Sequence, residues 1–195
     1  MLTCERDLMR IKTKNLDPVL ARKILTQIAR LSEPSAGEIA RALRVDNRKV
    51  TSHLNALEAL FEVQSLRPHQ EGTGKPLYFL FDVGFASLLG AGFERQMHTL
   101  AVQEILARIS YRGIRDCELG FYRGRKGGII HLVLQEKEKT SAIKILAEER
   151  IDMRELMGLI AWKKKNPKIS LLALGSQRIS LKKEKIEIYP WEAIG

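Results

Sequence analysis

Apolar residues return at helical spacing through the first part of the chain. Leu20, Ile24, Ile28 and Leu31 recur three to four residues apart, which predicts one buried helix face. Asp17-Pro18 ahead of them supplies an N-cap acceptor and a proline at the first helical position. Glu33-Pro34 stops that helix. Ser35-Ala36-Gly37-Glu38 then reads as a capping box opening a short second helix with Ile39, Ala40 and Leu43 on its apolar face. Arg44-Val45 makes a turn, and Asp46 caps a third helix carrying Val50, Leu54, Leu57 and Leu60. The pattern then changes period: Val63 to Leu66 alternates as a strand, Pro68 to Pro76 is a turn-rich loop, and Leu77 to Phe81 is a buried-type strand.

Small residues at Leu89-Gly90-Ala91-Gly92 mark a seam, beyond which the order becomes helix, three strands, helix, strand. The first of these helices runs from Phe93 to Ile109. Its apolar arc holds Phe93, Met97, Leu100, Ala101, Ile105 and Ile109, its wetter arc Gln96, Thr99 and Gln103, and Glu104 falls inside the apolar arc. Strands follow at Cys117–Tyr122, Ile129–Gln135 and Ser141–Ala147. Asp152 caps a helix that runs to about Lys165, and Ile169–Leu174 is the next strand. Arg178–Ser180 and Ile186–Tyr189 offer an edge hairpin. Strands and helices in alternation predict an α/β (α+β) layer with a partly parallel sheet.

The uninterrupted run Glu38 to Glu58 resembles the helix-turn-helix of winged-helix transcription regulators, with the small Ala40 where two helices touch. At about 100° per residue, Val50 and Leu54 point inward while Arg48, Lys49, Ser52 and Asn55 point out. Asn47, Arg48, Lys49 and Ser52 lie near the helix N-terminus, the end that reaches base edges in such motifs. Arginine and asparagine suit bidentate contacts to guanine and adenine. The resemblance makes the strand–loop–strand a wing, with Arg67, His69 and Lys75 available to phosphates. His53 falls on the core side and reads as a packed histidine. Residues 1–90 are thus expected to form a winged helix-turn-helix domain, and 91–195 a second domain.

The second half resembles the restriction-endonuclease-like, or PD-(D/E)XK, fold in its order αβββαβ. Further segments resemble a bacterial and archaeal family of AAA+-type ATPases that carry a winged helix and a nuclease-like C-terminal domain. These are Lys75 to Gly90, Phe121-Tyr122-Arg123, Asp152 to Leu159 and Ile188 to Ile194. Two departures set the expected function. No Gly-x-x-x-x-Gly-Lys-Ser/Thr loop is present to cradle nucleotide phosphates. The resemblance also places an acid where this chain has His131, and Glu-x-Lys where it has Lys144 and Leu146. Oxygen ligands for a hard cation are replaced by a cationic and an aliphatic side chain. Of the acidic positions, Glu104 alone survives. The reading is a degenerate nuclease site with no metal, no cofactor and no catalysis.

Charge sharpens this picture. The chain of 195 residues carries 33 Lys and Arg against 23 Asp and Glu, a formal net charge of +10. The excess is +3 in residues 1–90 and +7 in 91–195. Its densest cluster is Arg123-Gly124-Arg125-Lys126, followed by Lys163-Lys164-Lys165. Such charge points to an anionic partner, DNA first, with Arg123, Arg125 and Lys126 on phosphates. At 45% hydrophobic residues the chain can build a core, and no apolar run reaches bilayer length. Cys4 and Cys117 are too few for a disulfide framework, and the charged segment Met1 to Lys14 is no secretory signal. The expectation is a cytoplasmic DNA-binding or regulatory protein without a membrane partner, its oligomeric state left open between monomer and dimer. Two alternatives stand beside it: a protein-interaction module descended from an ATPase C-terminal region, and a metal-dependent nuclease rebuilt around Glu104 and His131.

Overall fold

The computed structural model describes residues 16–114, 116–124, 128–137, 139–146, 153–175, 181–183 and 186–191. Within them run six helices and eight strands. The chain divides into two units, Met1–Ser65 with Pro76–Thr99, and Leu66–Lys75 with Leu100–Gly195. The seam expected at Leu89–Gly92 thus lies inside the first unit, and the chain crosses between units again within a strand, within a loop and within a helix.

In the first unit, α1 (Pro18–Arg30), α2 (Ala36–Leu43) and α3 (Asn47–Ala59) follow the apolar periodicity closely. Asp17 caps α1 by accepting from the Val19 and Leu20 N–H groups at 3.0 and 3.3 Å. Asp46 caps α3 through the Arg48 and Lys49 N–H groups at 2.8 and 3.3 Å. Each cap satisfies donors that the helix start leaves without partners. The capping box at α2 forms by half. Ser35 Oγ accepts from the Glu38 N–H at 3.3 Å, but Glu38 turns its carboxylate to Arg41 at 2.6 Å, and the Ser35 N–H bonds Glu33 instead. Arg44 closes α2 in the left-handed region at φ 55°, turning the chain into α3.

Ile24, Ile28, Ile39, Val50, Leu54 and Leu57 are fully buried at the centre of this unit. His53 belongs with them at 2% exposure and is doubly bonded. Its Nε2 accepts from the Asp17 N–H at 3.1 Å, which leaves Nδ1 to donate to the Lys49 carbonyl at 2.8 Å. One imidazole therefore ties the start of α1 to α3. The strand expected at Leu77–Phe81 is β2 (Leu77–Leu80), buried at every position and beside the start of β1 (Val63–Pro68). The sequence pattern did not announce α4 (Val83–Leu88). Asp82 caps it through the Phe85 N–H at 2.6 Å, and six residues are too few to show a period.

The long helix α5 (Phe93–Tyr111) is rotated relative to its expected face. Phe93 is 55% exposed, whereas Thr99, assigned to the wetter arc, is 1% exposed. The buried stripe is Arg95, His98, Thr99, Ala101 and Val102. Arg95 accounts for the rotation. Its Nε donates to the Ile28 carbonyl at 3.2 Å, its Nη2 donates to the Tyr78 carbonyl, and its guanidinium lies 4.1 Å over the Phe79 ring. Burial pushes the Arg95 pKa down to about 9, so the group stays charged at neutral pH and needs these partners.

The second unit holds a mixed sheet in the order β1-β3-β4-β5-β6-β8-β7, where β3 is Cys117–Arg123, β4 Ile129–Glu136, β5 Lys139–Ile145, β6 Ser170–Gly175, β7 Leu181–Lys183 and β8 Ile186–Pro190. β1 runs parallel to β3, β5 to β6 and β6 to β8, while β3, β4 and β5 are joined antiparallel. The expected partly parallel α/β arrangement is present. The expected edge hairpin is present: β8, at the expected Ile186–Tyr189, pairs antiparallel with β7, which forms the sheet edge. The Arg178–Ser180 strand and the Asp152 cap lie outside the described residues. The helix α6 (Met153–Lys165) buries Leu156, Leu159 and Trp162 against Ile130, Val133, Ala142 and Leu171. Gly120 is required where β1 meets β3, because a Cβ there would stand 2.6 Å from the Arg67 carbonyl oxygen.

Candidate nucleic-acid interface

Asn47, Arg48, Lys49, Ser52 and Asn55 are all exposed on α3. The alternation with buried Val50, His53, Leu54 and Leu57 puts them on one helix face, and the Asp46 cap fixes the first turn that carries three of them. No carboxylate among the described residues forms an ion pair with Arg48 or Lys49. This face is a row of donors and acceptors with two cations in no ion pair, built on a helix whose opposite side is locked into a core.

The residues expected in a wing have other surroundings. Arg67 and Lys75 are exposed, but the loop between them belongs to the second unit and is fastened there. The Thr73 N–H donates to the Arg123 carbonyl at 3.2 Å, and the His69 N–H to the Phe121 carbonyl at 2.6 Å. The Glu71 N–H donates to His69 Nδ1 at 3.3 Å, which leaves His69 Nε2 as donor to Gln135 Oε1, also at 3.3 Å. Glu71 Oε2 accepts from Trp162 Nε1 at 3.0 Å and from Asn166 Nδ2 at 3.2 Å. Trp162 stacks on Tyr122 with centroids 4.6 Å apart and meets the His69 ring edge-on at 5.6 Å. Glu71, Trp162 and Asn166 carry this arrangement, and no local signal marks them because their partners are distant in sequence. Arg123 is half-buried on β3, while Arg125 and Lys126 lie outside the described residues.

The positions where the nuclease resemblance expects acids form a third arrangement. From Gly120 to Tyr122 β3 advances two residues, while β4 passes three, from Val133 to Ile130. A bulge therefore sits at His131–Leu132. Bulges re-aim side chains, and here His131 Nδ1 accepts the Ile145 N–H at 3.0 Å. In the neutral ring Nε2 then carries the hydrogen. Lys144, 8% exposed, brings its Nζ to 3.3 Å from that Nε2 and donates to the Ile129 carbonyl at 3.3 Å. Leu146 is buried in the core beside α6, its N–H donating to the Leu174 carbonyl at 2.8 Å. Glu104 is half-buried on α5. Among the described residues no group of three or more His, Cys, Asp or Glu converges to hold a metal ion, and no helix is long and apolar enough to cross a membrane.

No protein-family model matches the chain, and no curated protein matches it significantly.

Proposed function

We propose that the chain is a non-catalytic, DNA-binding regulatory protein. In this reading α1 to α3 with β1 and β2 act as a winged helix-turn-helix, α3 enters the major groove, and the second unit is a nuclease-like scaffold without a working metal site. The observation that carries it is the exposed face of α3, with Asn47, Arg48, Lys49, Ser52 and Asn55 opposite a fully buried seam. A capped helix presenting Arg and Asn near its N-terminus has the chemistry of direct base readout. Supporting the non-catalytic part, a divalent cation at the bulge would meet an imidazole N–H and an amine where oxygen ligands are needed.

The test is a titration of random-sequence duplex DNA at two salt concentrations. Affinity should fall steeply with salt, as counterion release demands. Arg48→Ala should cost about 1–3 kcal/mol and relax base preference. Salt-independent binding, or an Arg48→Ala protein indistinguishable from wild type, would overturn the assignment.

A further inference from the structure

The second unit contains a cleft of about 820 Å³ that the duplex-reading proposal does not use. Its volume is in the range of small-molecule sites. Tyr122 and Arg123 of β3 form one side, and Gly158, Ala161, Trp162 and Lys165 of α6 form the other. Three features of its chemistry converge.

The wall is aromatic. Tyr122 is half-buried and lies against Trp162, the two rings inclined by only 17°. Trp162 has its Nε1 committed to Glu71, so the indole is held in place. Gly72 and Gly124 flank the Tyr122 ring and have no side chains to cover it.

The helix side is cut back. Gly158 faces the Gly128 backbone without a side chain, and a Cβ on it would make only an ordinary contact, 3.7 Å from the Gly128 Cα. Ala161, one turn on, is exposed and reaches little further into the cleft.

The rim is cationic. Lys165 is exposed and borders both this cleft and a neighbouring one of about 340 Å³, which Lys168 also lines. Among the described residues Glu71 is the acid lining the cleft, and its Oε2 already accepts two hydrogen bonds.

A flat aromatic surface, free space beside it and cations at the mouth match a planar base that carries a phosphate. Bases stack on aromatic side chains without regard to sequence, and phosphate oxygens pair with Lys and Arg. A base inside a duplex is already stacked and cannot enter. We propose that this cleft binds an unpaired nucleotide, its base beside Tyr122 and its phosphate at Lys165. The nucleotide is either free or part of a single strand. The proposal goes beyond duplex binding by α3 and does not depend on it.

The experiment is fluorescence anisotropy of the full chain with a labelled oligothymidylate, competed by thymidine monophosphate, inorganic phosphate or unlabelled duplex. Wild type should bind the strand. Ala161→Phe, which fills the cleft from an exposed position, and Lys165→Glu should each weaken binding about tenfold or more, the scale of one lost stacking contact. Arg48→Ala should leave strand binding unchanged. Competition by the monophosphate assigns a free nucleotide to the cleft, and its failure while both variants lose affinity assigns a nucleotide held in a strand. Three results overturn the proposal: wild-type affinity in an Ala161→Phe protein that melts like wild type, phosphate competing as well as the monophosphate, or loss of strand binding in Arg48→Ala. Failure of duplex binding with strand binding intact would remove the α3 reading and leave this one standing.

Discussion

The face of α3 and the loop 66–75 look alike in sequence. Both are polar, both carry Arg and Lys, and both belong to the stretch expected to meet DNA. The structure treats them differently. The α3 side chains project from a helix whose buried face includes Val50, Leu54 and Leu57, each 0% exposed, so its polar face is left to solvent. Beyond Leu66, which is buried on β1, the segment has no buried apolar residue and is held by hydrogen bonds of its backbone to β3 and of Glu71 to Trp162 and Asn166. Charge composition cannot tell a presented surface from a fastened one. What separates them is where the neighbouring apolar residues go.

That contrast can be broken most strongly at Trp162. Trp162→Ala removes the stack on Tyr122 and the Glu71 donor, and should destabilise the second unit by about 3–5 kcal/mol, read from urea unfolding. It should also speed protease cleavage within 66–75 while leaving α3 protected. His53→Ala tests the opposite side. It strands the Asp17 N–H and the Lys49 carbonyl, and should cost about 1–3 kcal/mol without exposing the loop. Glu71→Gln is milder, because the side chain is largely exposed. About 1 kcal/mol is expected by urea unfolding, with faster loop cleavage as the more sensitive readout.

The smallest effect is a pH dependence at Asp17. The Leu20 N–H, and after it the Val19 N–H, hold its carboxyl below the ordinary value. A depressed folded pKa stabilises the protein above the unfolded carboxyl pKa of about 3.9, and that stability is lost as pH falls through the lower folded value. Asp17→Asn keeps a cap and should flatten this acid limb of a urea-midpoint-against-pH curve.

Much of the fold was legible because local rules agreed with each other. Asp17, Ser35 and Asp46 each stand one residue before a helix and do what their side chains predict. The strands from Cys117 to Ile145 and the helix ending at Lys165 were visible from period and turn residues. Two parts were not. The face of α5 was read from its apolar residues, yet the buried stripe centres on Arg95, whose carbonyl partners at Ile28 and Tyr78 are remote in sequence. The attachment of 66–75 was equally hidden, since Glu71 finds its donors at Trp162 and Asn166, 91 and 95 residues away. Of the candidate site, the α3 face was legible in full, because a helical period sorts exposed from buried residues. The His131 bulge was not, since a register shift leaves no mark in a single strand's pattern.

In the proposed function α3 is the surface that would meet duplex DNA. Backbone amide chemical shifts, followed while duplex is titrated into the labelled protein, test it most directly. The largest changes should fall on the 44–55 segment and vanish in Arg48→Ala. Changes concentrated in 69–73 or along α6, with α3 silent, would contradict it.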